Sequence, residues 1–207
     1  MSITLAAGRP TLADRIFSRH IATDLVLVAA GTALTAIAAQ ITIPMFPVPI
    51  TGQTFAVLLT GAVLGSARGA ISMVLYAVLG LIGLPVFTPQ AGGGHLTGMS
   101  ALLAPSFGYI VGFVAAAAFV GWLAQRQWDH HVVKTIVSFV GGSVIIYAFG
   151  ATWLGVTFTH SVPAALQNGV VPFLVGDALK AVAAGILLPV TWRLVHRADE
   201  AQTDLDD

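Results

Sequence analysis

Apolar residues along this chain gather into long blocks, separated by short polar or proline- and glycine-bearing breaks. A helix that crosses a bilayer needs roughly 20 mostly apolar residues. Six blocks meet or approach that length, at about residues 24–43, 53–65, 69–84, 106–124, 132–156 and 170–195. The first stops at the proline cluster Pro44, Pro47 and Pro49, the third at Pro85. The second and third are short for spans, and a small tilt or the use of flanking residues would accommodate them.

Polar positions sort themselves around these blocks. Arg9, Arg15 and Arg19 precede the first, and Arg68 lies between the second and third. Arg126 and Lys134 separate the fourth from the fifth, and Arg193 and Arg197 end the sixth. With six spans all of these basic residues fall on one side. The intervening stretches 44–53, 85–105 and 157–169 hold no Lys or Arg. Basic segments resist translocation, so both termini are expected in the cytoplasm. An odd number of spans would scatter the basic residues over both faces. The expected fold is therefore an all-α membrane protein: a cytoplasmic N-terminal segment 1–23, a six-helix domain 24–195, and an acidic tail 196–207 expected to be disordered.

Composition agrees with this reading and narrows function. Hydrophobic residues make up 57% and charged residues 9%, and the mean hydropathy is +0.89. A soluble domain carries about 25% charged residues, so this chain has too little polar surface to face water all round. The formal net charge is zero, and no basic stripe exists to follow a nucleic-acid backbone. The absence of cysteine excludes disulfides, thiolate metal sites and thiol nucleophiles. The apolar patch at residues 3–7 is too brief for a signal-peptide core.

Only Asp177 and Lys180 place charge inside a span. Such charges are costly and are kept mainly where they face a cavity or a partner. Three residues apart on a helix, the two share a face. A rise of about 1.5 Å per residue sets Lys180 about 20 Å from Arg193, in the outer half of the membrane. A small solute entering from outside is the leading use for such a pair. A salt bridge that merely neutralises itself is the bland alternative, and a proton relay would want further carboxylates at depth.

Other features surround the same outer mouth. Residues 88–105 are uncharged and contain Gly92, Gly93 and Gly94, a candidate lid or a plain flexible loop. Thr51, Gln53 and Thr54 follow the proline cluster with neutral hydrogen-bonding groups. Thr51 as a helix cap is the alternative there. Ala29, Ala33 and Ala36 form a smooth stripe on the first helix. Gly61, Gly65 and Gly69, and Gly108 with Gly112, have similar spacing; such stripes allow close helix approach, within the chain or against another subunit. The six histidines form no metal constellation. There is no His-Glu-x-x-His, no Gly-x-Ser-x-Gly and no phosphate-binding Gly-x-x-x-x-Gly-Lys. Neither an enzyme nor a self-powered ATPase is indicated, and no cofactor or metal is expected.

Several motifs, in order, resemble the BioY family, the biotin-specific S components of energy-coupling-factor (ECF) transporters. They are Ile43-Pro-Met-Phe-Pro-Val-Pro-Ile-Thr-Gly-Gln-Thr-Phe55, Leu59-Thr-Gly-Ala-Val-Leu-Gly65 with Arg68-Gly69, and Tyr76-Ala-Val-Leu-Gly-Leu-Ile-Gly-Leu-Pro-Val-Phe87. The glycine-rich loop, Phe107-Gly-Tyr-Ile-Val-Gly-Phe113 and Gly176-Asp-Ala-Leu-Lys180 complete the set. Two stretches depart from the family pattern: Thr88-Pro-Gln-Ala before the glycines, and Ala104-Pro-Ser-Phe-Gly-Tyr where Gly-Pro-Thr-Gly-Gly-Tyr is more usual.

The resemblance implies six helices with cytoplasmic termini, biotin as solute and a multi-pass place in the bacterial cell membrane. It also implies a partner complex of one membrane-embedded T component and two ATP-binding cassette subunits. On its terms Asp177 and Lys180 meet the polar ends of biotin, in an order left open. Gln53, Tyr76, Tyr109, Tyr147, Gly93 and Gly94 are further substrate-binding candidates. Ala29 and Ala33 match the family's Ala-x-x-x-Ala docking motif. A stand-alone secondary permease for biotin or a similar vitamin is the alternative.

Overall fold

The computed structural model describes residues 10–90 and 92–206, with side chains as far as Ala198. Arg9, the apolar patch at 3–7, and the side chains of Asp199, Glu200, Asp204, Asp206 and Asp207 lie outside the described residues.

The apolar blocks are helices. In chain order the elements are α1 (Leu12–Ile16), α2 (Ile21–Gln40), α3 (Gln53–Leu64), α4 (Ser66–Leu81), α5 (Met99–Leu102), α6 (Phe107–Ala124), α7 (Val132–Leu154), α8 (Val162–Gly169) and α9 (Leu174–Asp206). By length and composition four helical stretches could cross a membrane: Ile21–Gln40, Phe107–Ala124, Val132–Thr159 and Val162–Ala198. The blocks at 53–65 and 69–84 form the shorter α3 and α4, of 12 and 16 residues. At about 1.5 Å per residue they reach roughly 18 and 24 Å, less than the roughly 30 Å of a hydrocarbon core. They meet at Gly65, whose φ of 86° is a turn that a side chain would strain. Consequently α4 begins at Ser66, earlier than the 69 expected from the apolar pattern.

Three other boundaries differ from expectation. The proline segment is closed by a two-strand hairpin, β1 (Thr42–Ile43) and β2 (Ile50–Thr51), with Thr42 opposite Thr51 and Ile43 opposite Ile50. Three prolines without N–H donors cannot continue a helix, but the residues on either side can pair. The outer stretch 157–169 contains α8, started by Pro163 in its first turn, where the ring's fixed φ suits a helix. The sixth block starts at Leu174 and its backbone helix runs on to Asp206, through the tail expected to be disordered.

Small residues set how closely the helices lie. A Cβ on Gly61 would overlap the backbone carbonyl of Ala117, and one on Gly121 would meet the backbone at Gly65 and Ser66. Backbones of α3, α4 and α6 therefore touch, as small residues permit in membrane bundles. Gly108 and Gly112 bring α6 against Trp153 and Ile146 of α7. Tyr76, Met73, Phe139, Ile146, Leu154, Val57 and Val120 fill the centre. The outer faces are as apolar as the core: Val26, Val133, Val175 and Leu179 are each about two-thirds exposed or more. Water would disfavour such a surface and hydrocarbon would not.

Charges concentrate at one end of the bundle, and they are partly buried there. Arg68, 2% exposed, bonds Asp24 at 3.1 Å and Asp14 at 2.8 Å and donates to Leu64 O and Thr11 Oγ1. Arg19 adds a second contact to Asp14. Asp177 and Lys180 are thus not the only buried ions, and this network ties α1 to α4 and α2. Burial opposes ionisation of the Asp14 carboxyl, but Arg19, the Thr11 N–H and Arg68 outweigh it and hold its pKa below the usual value. Nearby, Asp129 accepts from the Trp192 indole at 2.5 Å. Burial pushes its pKa up to about 6 against that bond.

Candidate solute-binding site

The opposite end of the bundle opens into a cavity of about 520 Å³, within the range of roughly 300–1,000 Å³ usual for small-molecule sites. The proline loop between β1 and β2 supplies one wall, with Phe46 and Val48 among others. The end of β2 supplies Thr51, the start of α3 Gln53 and Thr54, and the loop after α4 Phe87, Thr88 and Gln90. Tyr109, Ile110 and Phe113 come from α6, Tyr147 from α7, and Phe173 and Lys180 from the α9 region. The lining is mostly apolar, with polar groups grouped near α3 and α9.

The ion pair forms as the spacing anticipates. Lys180 Nζ lies 2.7 Å from Asp177 Oδ1. Their surroundings come from distant segments. Thr54 Oγ1 donates to Asp177 Oδ1 at 2.8 Å, and the Tyr147 hydroxyl to Oδ2 at 2.5 Å. Lys180 also donates to Thr54 Oγ1 at 2.7 Å and to Thr51 O at 2.9 Å. An ammonium has three N–H donors, and all three are engaged. Asp177 sits behind this cluster, 7% exposed; Lys180, Thr54 and Tyr147 line the cavity itself. Asp177 and Tyr147 also line an apolar groove between α7, α8 and α9, so their hydrogen bond forms part of the wall between the two.

A second polar cluster stands beside the first. Gln53, 6% exposed, donates Nε2–H to the Tyr76 hydroxyl at 2.7 Å. Tyr76, wholly buried, donates to Val86 O at 3.1 Å. Gln53 Oε1 accepts from Thr51 Oγ1 and from Thr88 Oγ1, each at 3.0 Å. The Phe87 ring stands edge-on to Tyr76, with centroids 5.3 Å apart, in the notch left by Gly80, where a Cβ would overlap that ring.

Of the residues singled out from sequence, Gln53, Tyr109, Tyr147 and Lys180 line the cavity, and Asp177 is one bond behind it. Tyr76 reaches it only through Gln53. Tyr109 turns its hydroxyl away to Gly169 O at 2.6 Å, leaving its ring at the wall. Gly93 and Gly94 do not line the cavity. They form the exposed tip of a turn closed by Gln90 N–H to Gly94 O at 2.9 Å, and nothing would contact a Cβ on either. Thr88, Pro89, Gln90 and Leu96 of the same loop do line it. Ala29 and Ala33 are exposed on α2, opposite its buried face of Leu27, Val28, Gly31 and Thr35. Sequence reading missed Thr88 and the aromatic wall Phe87, Phe113 and Phe173. Thr88 carried one signal, a hydroxyl directly after Pro85-Val-Phe in an otherwise apolar stretch.

An apolar helix bundle with an ion-paired, partly aromatic cavity at one end is a membrane protein built to hold a small solute. The chain belongs to the BioY family, whose model matches residues 9–197. It is 35% identical over 178 residues to the biotin transporter BioY of Rhizobium etli, covering 79% of this chain and 90% of that one. Against the biotin transporter BioY of Thermotoga maritima it is 37% identical over 163 residues, covering 78% and 92%. Among solved structures it matches the S-component for biotin from an ECF-type ABC transporter. That match has a TM-score of 0.69 and 27% identity, and covers 83% of this chain and 92% of the other.

Proposed function

We infer that this chain is the biotin-binding S component of an ECF-type uptake transporter. The observation that carries the reading is the Asp177–Lys180–Thr54–Tyr147 cluster at the wall of the cavity, in a chain whose relatives are biotin transporters.

Biotin offers two ureido N–H donors, a ureido carbonyl, an apolar thioether ring, and a carboxylate on an apolar chain. Phe87, Phe113, Tyr109 and Phe173 supply apolar walls for the ring and chain. Lys180 is the cation at the cavity surface and serves a biotin oxygen. Because its three donors are all engaged, the incoming oxygen takes the place of a neutral acceptor, Thr51 O or Thr54 Oγ1. Asp177 stays, since a charge-assisted bond is roughly twice as strong as a neutral one. Displacing Thr54 frees a lone pair of its oxygen to accept from a ligand N–H, while its O–H still donates to Asp177. Tyr147 keeps its hydrogen bond to Asp177 Oδ2.

The chain crosses the bacterial cell membrane six times, with both termini inside. Support comes from Arg15, Arg19, Arg68, Arg126, Lys134, Arg193 and Arg197 all lying away from the cavity end, as basic residues do on the cytoplasmic face. On this reading the cavity opens outward. The sequence holds no phosphate-binding loop, so inward release is driven by partners: a membrane-embedded T component and two ATP-binding cassette subunits. The exposed stripe of Ala29 and Ala33 is the face offered to the T component.

Equilibrium binding of labelled biotin to the purified protein, with mass spectrometry of co-purifying small molecules, tests the solute. Saturable binding competed by unlabelled biotin is expected, and its absence sinks the reading. Uptake that persists without any cassette partner and collapses with the proton gradient would favour a stand-alone permease instead.

A further inference from the structure

Every donor in the Gln53 cluster has a fixed direction. Val86 O can only accept, so the Tyr76 hydroxyl donates to it. Tyr76 then accepts from Gln53, which places the Gln53 NH₂ on that side and its carbonyl toward Thr51 and Thr88. Both hydroxyls must therefore donate to Gln53. Thr51 is held from two directions: its hydroxyl bonds Gln53, and its backbone carbonyl takes the Lys180 ammonium at 2.9 Å. One continuous polar chain thus joins Lys180 to Thr51, Gln53 and Thr88.

Thr88 is the root of the loop that covers the cavity. Pro89, Gln90 and Leu96, just beyond it, line the cavity, and Pro89 pairs with His95 across the turn. The His95 ring nitrogen lies 2.6 Å from Phe87 O. On its other side the loop is tied down by Gly98 N–H to Gly80 O at 3.0 Å. The loop is therefore a closed hairpin with two roots, and Gln53 grips one of them by both Thr88 and, through Tyr76, Val86.

We propose that Gln53 is a positioning residue: it ties the covering loop, through Thr88 and Tyr76, to the Thr51 carbonyl that Lys180 holds, so that the loop's grip governs how fast bound solute leaves. The inference rests on the biotin reading for its kinetic half only. Gln53 spends Oε1 on two hydroxyls and one Nε2–H on Tyr76, so its main work is inside the wall rather than on the ligand. A solute oxygen that takes Lys180 from the Thr51 carbonyl acts on the far end of the same chain.

The test compares Gln53→Met, Thr88→Val and the double variant for biotin association and dissociation, and for hydrogen exchange across residues 86–96 without ligand. Each single variant removes neutral buried hydrogen bonds and is expected to speed dissociation roughly tenfold, with association changed less than about twofold. The double variant is expected to be no faster than the faster single, because both cut the same tie. Exchange across 86–96 is expected to rise in each variant. Additive effects, about a hundredfold in the double, would show that Gln53 contacts the ligand on its own account and overturn the proposal. Unchanged exchange in Thr88→Val would overturn it as well. Thr88→Val changes only a half-buried loop residue, so the test stands even where Gln53→Met does not fold. Exchange is read without biotin, so a protein that binds some other solute fails the biotin reading and still tests the loop.

Discussion

Removing either member of the Asp177–Lys180 pair should harm this protein more than removing both. In Asp177→Leu the ammonium keeps only neutral acceptors, Thr51 O and Thr54 Oγ1, and the Tyr147 and Thr54 hydroxyls lose their acceptor. Breaking a buried pair from one side costs about 3–5 kcal/mol. The Lys180 side chain is 22% exposed and can turn toward cavity water, which places the cost near about 3 kcal/mol. In Lys180→Met the carboxylate, 6% exposed, keeps hydrogen bonds from Thr54 and Tyr147 but is left buried without its cation, at a cost also of about 3 kcal/mol. Asp177→Leu combined with Lys180→Met buries no unpaired charge and should recover to within about 1–2 kcal/mol of the parent. Biotin binding should follow a different order. Lys180→Met removes a charge-assisted bond to the ligand, a loss of about 1.5–3 kcal/mol or roughly 10- to 150-fold in affinity, and the double variant should bind no better. Thermal unfolding in detergent, followed by the fluorescence of the four tryptophans, reads the first quantity, and equilibrium binding of labelled biotin reads the second. If the double variant proved no more stable than the single variants, or bound biotin with parental affinity, the assigned roles would be wrong.

Asp129 makes stability depend on pH at the charged end. Its folded pKa of about 6 lies above the ordinary 3.8, so the unfolded state ionises first as pH rises. Its contribution to stability is therefore fullest below about pH 4, falls between about 4 and 6 by on the order of 2–3 kcal/mol, and levels off above. Asp129→Asn should flatten this window relative to the parent in pH-dependent thermal unfolding, and an identical profile would contradict the assignment. Gly61→Ala drives a methyl into the Ala117 carbonyl and should cost about 1–3 kcal/mol by overpacking; an unchanged melting temperature would mean that α3 and α6 are not in backbone contact. Ala29→Trp and Ala33→Trp project from the exposed face of α2, so they should spare biotin binding by the purified chain while impairing uptake in cells that carry the partner subunits. Parental uptake in either variant would remove that face from the docking surface.

Much of the architecture was legible because bilayer physics acts locally on the chain. Apolar runs long enough to span, proline stops, and basic residues sorted to one end are one-dimensional signals. The spacing of Asp177 and Lys180 is equally local, since three residues on a helix put two side chains on one face whatever surrounds them. The motifs that carry the family resemblance are likewise contiguous in sequence. Legibility failed where a position depends on how helices are rotated against one another. Thr54 and Tyr147 reach Asp177 from 123 and 30 residues away, and only the close approach of backbones at Gly61, Gly121, Gly108 and Gly112 decides which faces of α3, α6 and α7 meet. Arg68 reads as a basic residue between two spans, yet it is buried with Asp14 and Asp24 because α1 folds under the bundle. The glycines mark the loop but do not line the cavity. Their freedom shapes the exposed tip, while the cavity is lined by Thr88, Pro89 and Gln90 at the root, held by Gln53 and Tyr76. Sequence alone determined that this chain is a membrane helix bundle with one charged pair, Asp177 and Lys180, inside a span. Which neutral groups hold that pair, and which part of the loop closes on it, was decided only by packing, because hydrogen bonds between distant segments form after the helix faces have been chosen.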